Sequence, residues 1–133
     1  MAVVSSETVP VVTETDVVTV RRRVREVAGK LGFSLVDQTK FVTAASELAR
    51  NTLLYGGGGA MELSTLNGPR VGIRLTFEDK GPGIPDIQLA LRDGFTTGSG
   101  LGLGLGGAKR LVNEFEVISR VGEGTKVTIV RWK

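Results

Sequence analysis

Two polar residues, Glu47 and Asn51, are four positions apart in a segment with helical periodicity. Residues at this spacing lie on one helix face, so both side chains would project in the same direction. The amide oxygen of asparagine is a hard ligand that suits Mg²⁺, and a carboxylate can orient a water or a hydroxyl for attack on phosphorus. Asparagine is also a mediocre helix former, which makes its position suggestive. As an isolated pair, the two residues are more typical of a solvated polar stripe.

The segment Glu78-Asp-Lys-Gly-Pro-Gly-Ile84 directly follows a predicted strand. A carboxylate at a strand end, here Asp79, can accept hydrogen bonds from an amino group of a ligand. Gly81 and Gly83 would let the backbone fold around a flat ring, because glycine permits close backbone approach. On its own, such a segment is more often a tight turn than a binding site.

A glycine-rich run, Gly98-Ser-Gly-Leu-Gly-Leu-Gly-Leu-Gly-Gly107, leads into a predicted helix. Its backbone could approach a ligand closely, and the unpaired N–H groups of the helix start could bind phosphate. A flexible loop is the alternative, but linkers prefer serine and polar residues to the regular leucines found here. A Walker A loop is excluded because Ala108 stands where glycine must precede Lys109.

A dinucleotide-binding Rossmann site is a minor alternative for the same run. Gly102, Gly104 and Gly107 satisfy the G-x-G-x-x-G pattern, and Glu123 is near the distance expected for a ribose-binding acid. That fold requires a strand directly before the motif, whereas residues 92–99 are polar and glycine-rich. A nicotinamide-binding fragment therefore stays open, but is weakly supported.

The composition limits the classes of protein that remain. The 133 residues suit one compact domain, 1–133, with an ordinary apolar fraction of 41%. Because the chain has no cysteine and no histidine, disulfides, thiolate metal sites, histidine ligands and a phosphohistidine are excluded. The net charge of +3 is mild, and no aromatic residue interleaves with the arginines of segment 21–25, so nucleic-acid binding is poorly supported.

The N-terminus lacks the basic and apolar regions of a signal peptide. No apolar run is long enough to span a bilayer, so no membrane contact is expected. These features predict a cytoplasmic protein.

Three helices are predicted from caps and apolar spacing. Asp16 is expected to cap a helix over residues 17–31, and Asp37 a second helix that continues to about residue 55. A third helix is expected over residues 106–111, and residues 86–92 could form one or two turns. The apolar stripe of the second helix comprises Phe41, Ala45, Leu48 and Thr52.

Five strands are predicted from β-branched and apolar residues, at positions 9–15, 61–66, 71–78, 115–121 and 126–132. Turn signals at 67–68 and 122–124 join the last four strands into two hairpins. The order is β-α-α-β-β-loop-α-β-β. It indicates an α/β two-layer sandwich, in which a mixed, largely antiparallel sheet carries three helices on one face.

The candidate motifs follow one another within a single domain: Glu-x-x-x-Asn at 47–51, Asp-x-Gly-x-Gly at 79–83, the glycine run at 98–107, and Gly124-Thr125. This order resembles the GHKL (Bergerat-fold) ATPase and kinase superfamily, which includes histidine kinases, Hsp90-type chaperones, gyrase-type topoisomerases and bacterial anti-sigma factors. The resemblance covers nearly the whole chain and is more specific than any single motif. It implies the Bergerat fold, with ATP and Mg²⁺ as ligands.

Within the superfamily, the sequence is most similar to the serine/threonine switch kinases of the bacterial stressosome, the T-type sigma-B regulators. The segments that carry this similarity are 36–38, 46–51, 78–87, 93–97, 109–111 and 131–133. The short length and the missing histidine do not fit a complete sensor histidine kinase, and the mechanical ATPases are much larger.

The resemblance implies a role for each motif residue. Glu47 would be the catalytic base, Asn51 the Mg²⁺ ligand, and Asp79 the partner of the adenine amino group. The residues that would shape the adenine pocket are Gly81, Gly83 and Thr125. Those that would line the phosphates are Gly102, Gly104 and Leu105.

One departure concerns the predicted lid, residues 84–101. It has little charge near its C-terminal end, where sporulation-type relatives carry a basic residue that faces the γ-phosphate. Lys109 and Arg50 are the candidates for the cation that assists transfer.

By resemblance, the chain would be an ATP-dependent serine/threonine protein kinase. It would phosphorylate a STAS-domain antagonist protein in a stress-signalling partner switch and then activate a PP2C-type phosphatase. The alternative is an ATP-gated anti-sigma factor that sequesters a sigma factor. The two functions share a nucleotide site and differ in the partner surface, which the sequence hardly shows.

Overall fold

The computed structural model describes residues 2–91 and 104–133 of the chain. Its helices and strands follow the predicted order, with a short helix α3 in the loop where one or two turns were expected. The elements are β1 (Ala2–Val11), α1 (Glu14–Lys30), α2 (Leu35–Leu54), β2 (Gly59–Asn67), β3 (Gly72–Asp79), α3 (Ile87–Ala90), α4 (Gly104–Arg110), β4 (Glu114–Arg120) and β5 (Gly124–Trp132).

The strands form one sheet in the order β1-β2-β3-β5-β4. Every pair of neighbouring strands in the described part of the chain is antiparallel. The predicted two-layer sandwich is therefore confirmed, with a fully antiparallel sheet in these residues. The register also places Asp79, at the end of β3, opposite Gly59 on one side and Thr125 on the other.

The core lies between the helices and one face of the sheet. On α1, Val17, Val20, Val24 and Ala28 recur every three or four residues, and all four are buried. The predicted stripe of α2 is buried as well, and Phe41 and Leu48 pack into the same apolar cluster. Fully burying one such large apolar side chain contributes about 1.5–3 kcal/mol, so this face fixes α2 against the sheet.

Both predicted helix caps are wrong by three residues. The side chain of Thr13 accepts the N–H of Asp16, and the Asp16 carboxylate accepts the N–H of Thr13 in return, so Asp16 is the third residue of a capping box. In the same way, Ser34 is the N-cap of α2 and accepts the N–H of Asp37 at 3.1 Å. A carboxylate in the first turn and one at the cap position look alike in a sequence, because both complement the helix dipole.

Arg131 links the start of α2 to the segment just after α4. Arg131 of β5 donates to Asp37 Oδ1 at 2.6 Å and to the carbonyl of Leu111, just after α4, at 2.7 Å. The Arg131 guanidinium holds the pKa of the Asp37 carboxyl below its usual value, chiefly through this hydrogen bond. The start of α2 and the end of α4 are thereby fixed to the same strand.

In residues 2–91 and 104–133, no helix combines the length and the apolar character needed to cross a membrane.

Candidate functional site

A cavity of about 450 Å³ opens between α2 and the ends of β3 and β5. Its volume is within the range of small-molecule sites in proteins. The described residues that line it are Leu48, Asn51, Thr52, Tyr55, Gly56, Phe77, Asp79, Pro82, Gly83, Ile84, Pro85, Asp86, Leu89, Ala90, Gly104, Leu105, Thr125 and Val127. Most of the wall is apolar, so the few polar groups in it determine how a ligand is oriented.

Asp79 is the acidic group at the sheet end of this cavity. Its Oδ1 accepts the N–H of Gly81 at 2.9 Å, which fixes the side-chain rotamer. Within the described residues, no donor is bonded to the other oxygen, Oδ2. This oxygen is therefore available to a donor on a ligand.

Gly56, directly after the C-cap of α2, packs against the Asp79 side chain. A Cβ atom at Gly56 would lie 2.3 Å from Asp79 Cγ and 2.4 Å from Oδ2. Gly81 also packs against Gly56, because a Cβ at Gly81 would lie 2.7 Å from Gly56 Cα. Gly81 does not itself line the cavity within the described residues, but it holds the loop after β3 against α2.

Gly83 lets the same loop turn onto the β4–β5 hairpin. Its φ of +80° favours glycine, and a Cβ there would lie 2.3 Å from the carbonyl oxygen of Arg120. The N–H of Gly122 donates to the carbonyl of Pro82 at 2.8 Å. Gly83 thus forms part of one wall of the cavity.

Thr125 faces the cavity from β5, opposite Asp79 in the sheet. Its hydroxyl lies 2.8 Å from the hydroxyl of Ser119 on β4. Gly124 allows β5 to approach β3 closely, since a Cβ at Gly124 would lie 2.2 Å from the carbonyl oxygen of Asp79.

Asn51 lines the cavity from the last turn of α2, and its carbonyl accepts the N–H groups of Tyr55 and Gly56. Glu47 lies one turn earlier on the same helix face. It is only 6% exposed, so the expectation of a solvated polar stripe is wrong for this residue. No hydrogen bond or ion pair to the Glu47 carboxylate is present in residues 2–91 and 104–133. Glu47 is not among the described lining residues.

Gly104 and Leu105, at the start of α4, also line the cavity. Gly104 has a φ of +59°, which suits a glycine at this turn into the helix. Gly102, predicted to line the phosphates with them, lies outside the described residues. Of the two candidate cations, Lys109 is exposed and Arg50 half-buried, and neither is a described lining residue.

Two residues of the site were missed in the sequence. Gly56 was not among the predicted site residues, because its contact with Asp79 joins segments that are far apart in the chain. Ser119 had a detectable signal: Phe115, Val117 and Ser119 are the inward positions of an alternating strand, and only the last of these is polar. A polar side chain at an inward position needs a hydrogen-bond partner, and Ser119 bonds to the cavity-lining residues Ile84 and Thr125.

Known proteins resemble this chain in sequence over most of its length. Residues 36–133 match the family described as histidine kinase-, DNA gyrase B- and HSP90-like ATPase. The serine/threonine-protein kinase RsbT of Bacillus subtilis is 46% identical over 125 residues, which cover 93% of this chain and 94% of RsbT. The anti-sigma F factor of Thermoanaerobacter sp. (strain X514) is 29% identical over 110 residues, which cover 79% of this chain and 77% of that protein.

Solved structures share the fold at low sequence identity. The RsbU and RsbW domains of a Mycobacterium tuberculosis protein superpose with a TM-score of 0.66 at 21% identity, over 96% of this chain and 32% of that longer one. The mycobacterial sensor histidine kinase MprB gives a TM-score of 0.56 at 20% identity, over 96% of this chain and 97% of that one.

The family predicted from the motif order is thus confirmed, and the kinase relative matches more strongly than the anti-sigma factors. ATP is the nucleotide that this family and the kinase name imply. The chain belongs to the histidine kinase-, DNA gyrase B- and HSP90-like ATPase family, and within it to the serine/threonine-protein kinases.

Proposed function

We propose that the cavity binds Mg·ATP and that the chain transfers the γ-phosphoryl group to a serine or threonine of a STAS-domain antagonist protein. The observation that carries this proposal is the convergence of Asp79, Asn51 and the start of α4 on one cavity. Regulatory partners are implied by the relatives, which include the serine/threonine-protein kinase RsbT and anti-sigma F factors. The STAS-domain substrate and a PP2C-type phosphatase as second partner are part of the proposal.

The adenine end of the site would lie at Asp79. The free oxygen Oδ2 is an acceptor only, so it fits the amino group of adenine. Gly83, Ile84 and Thr125 provide a narrow, mostly apolar surround for the flat base. Backbone contacts at Gly56 and Gly124 hold the carboxylate in place before any ligand arrives, which reduces the ordering that binding requires.

The phosphates would extend toward Asn51 and the start of α4. A single amide oxygen, from Asn51, fits the Mg²⁺ of a nucleotide, because this ion keeps most of its ligands from phosphate and water. When bound, Mg²⁺ would neutralise charge on the β- and γ-phosphates. Gly104 and Leu105 would offer backbone N–H groups to the phosphate oxygens.

Glu47 would serve as the base for transfer. It accepts the proton of the partner's hydroxyl while that oxygen forms a bond to the γ-phosphorus. The bond between the γ-phosphorus and the bridging oxygen breaks, and ADP leaves with that bond's electron pair. Glu47 lies one helical turn before Asn51 on the same face of α2, so its side chain is on the side of the helix from which Asn51 reaches the cavity.

The test is incubation with γ-labelled ATP, Mg²⁺ and candidate STAS-domain proteins, followed by identification of the labelled amino acid. Label on serine or threonine is expected, and Glu47→Gln should abolish it while ATP still binds. If wild-type protein binds ATP but labels none of these partners, the kinase proposal is contradicted.

An anti-sigma factor is the second candidate, favoured by the relatives of that name. It shares the nucleotide site but would form a stable, ATP-dependent complex with a sigma factor. A pull-down of purified sigma factors with and without Mg·ATP distinguishes the two functions. If the chain is a kinase and not an anti-sigma factor, no sigma factor should be retained in either condition.

Phosphorylation should also end the complex between kinase and substrate. A phosphorylated hydroxyl carries about −1.5 to −2 charges and would lie beside the ADP phosphates and the Glu47 carboxylate. This repulsion at short range should weaken binding by orders of magnitude and free the kinase for its second partner. The check is to compare its affinity for unmodified and phosphorylated partner, and equal affinities would refute the switch.

A further inference from the structure

Ser119 makes a cluster of hydrogen bonds at the sheet end of the cavity. Its Oγ accepts the N–H of Ile84 at 2.7 Å and lies 3.2 Å from the carbonyl oxygen of Gly124. It also lies 2.8 Å from the hydroxyl oxygen of Thr125. Ser119 therefore contacts two residues that line the cavity, Ile84 and Thr125, without lining it itself.

The hydrogen-bonding capacity of the Ser119 hydroxyl limits how these bonds can be arranged. A serine hydroxyl has one proton and two lone pairs. If the proton is donated to the Gly124 carbonyl, both lone pairs are left to accept, one from the Ile84 N–H and one from the Thr125 hydroxyl. Thr125 then gives its proton to Ser119 and presents lone pairs to the cavity, beside the Asp79 carboxylate.

The two residues joined by Ser119 come from separate segments. Ile84 lies in the loop between β3 and α3, whereas Thr125 belongs to β5. The backbone bond from Gly122 to Pro82 holds the outer part of this loop on the hairpin. Ser119 holds its inner part, at the position where the adenine pocket would be.

We propose that Ser119 is a positioning residue for the nucleotide base: it fixes Ile84 and the hydroxyl of Thr125 around the adenine ring. This inference rests on the proposed function. Removal of the Ser119 hydroxyl leaves the Ile84 N–H and the Thr125 hydroxyl without this partner. The two residues are then no longer held in one arrangement around the base.

The test is calorimetric titration of Ser119→Ala with Mg·ATP, ADP and adenosine. We expect the Kd for Mg·ATP to rise roughly tenfold, because part-buried groups lose their hydrogen-bond partner. The Kd values for ADP and adenosine should rise by a similar factor, since only the part of the site that would hold the base is affected. Ser119→Thr keeps the hydroxyl and should restore the Kd to within about threefold of wild type. The matched control is Ser64→Ala: Ser64 is buried on β2 and shares a hydrogen bond with Ser6 at 3.2 Å, outside the cavity.

Thermal unfolding separates positioning from a general loss of structure. Both alanine variants can lower the Tm, but only Ser119→Ala should change the Kd. In a Thr125→Val background, the effect of Ser119→Ala should be smaller, since the two residues share one hydrogen bond. Wild-type Kd values for Ser119→Ala, or an equal loss in Ser64→Ala, would overturn the inference. Failure of the wild-type protein to bind ATP would instead overturn the proposed function.

Discussion

Gly56→Ala should weaken the nucleotide site without replacing any charged residue. The new Cβ would lie 2.3 Å from Asp79 Cγ, whereas real Cβ contacts are essentially never shorter than 3.0 Å, so the carboxylate must move by about 0.7 Å or more. Gly81 also packs against Gly56, since a Cβ at Gly81 would lie 2.7 Å from Gly56 Cα, and this contact restricts movement of the Gly56 backbone. The carboxylate is therefore expected to leave the position from which Oδ2 reaches the base.

The expected loss follows from the hydrogen bond that is broken. A ligand amino group left without its partner costs about 1–3 kcal/mol, which corresponds to roughly a tenfold or greater rise in the Kd for Mg·ATP. Calorimetry at 25 °C measures this directly, and circular dichroism establishes that the variant is folded.

The matched control for this variant is Gly57→Ala, one residue later. Gly57 has a φ of +74°, and a Cβ there would meet no atom within 4 Å. Its cost is backbone strain of about 1–2 kcal/mol, which lowers the Tm but should leave the Kd within about twofold of wild type. A folded Gly56→Ala protein with wild-type ATP affinity would refute the role given to the Gly56–Asp79 contact.

Three further predictions concern single side chains. Asp79→Ala should weaken Mg·ATP binding roughly tenfold or more by calorimetry; unchanged binding would remove the adenine assignment, and tighter binding of NAD than of ATP would restore the Rossmann alternative. Glu47→Ala should bind ATP as wild type does but transfer label about 10²–10⁴-fold more slowly; a wild-type rate would exclude it from the mechanism. Because Arg131 lowers the pKa of Asp37, the stabilisation from this pair is present above the ordinary carboxyl pKa of 3.8 and is lost as the pH falls through the lower folded value. Asp37→Asn should therefore have a lower Tm than wild type at pH 7, and that gap should narrow below pH 3.8; a gap that does not depend on pH would contradict the ion pair.

Much of the fold could be predicted because it is encoded locally. Apolar residues at helical spacing placed α2, and alternating residues with two turn signals placed the four hairpin strands. The first strand was predicted too late, at 9–15 instead of Ala2–Val11, because its exposed N-terminal half lacks an apolar pattern. The two cap predictions were wrong because a carboxylate in the first turn of a helix, such as Asp16 or Asp37, looks like an N-cap carboxylate in the sequence.

The site was predictable in its residue types but not in its contacts. Asn51, Asp79, Gly83, Gly104, Leu105 and Thr125 all line one cavity, as the motif order suggested. The burial of Glu47 could not be predicted, since helical periodicity places it beside polar residues and says nothing about what packs over them. The Gly56–Asp79 and Ser119–Ile84 contacts depend on the tertiary fold, so no local pattern reveals their partners.

A crystal structure with Mg²⁺ and a non-hydrolysable ATP analogue tests the central claim most directly. The account predicts that the amino group of adenine lies about 2.7–3.2 Å from Asp79 Oδ2 and that the Asn51 side-chain oxygen binds the metal ion. The triphosphate should extend from there to Gly104 and Leu105. A base bound away from Asp79, or a metal ion that Asn51 does not contact, would contradict it.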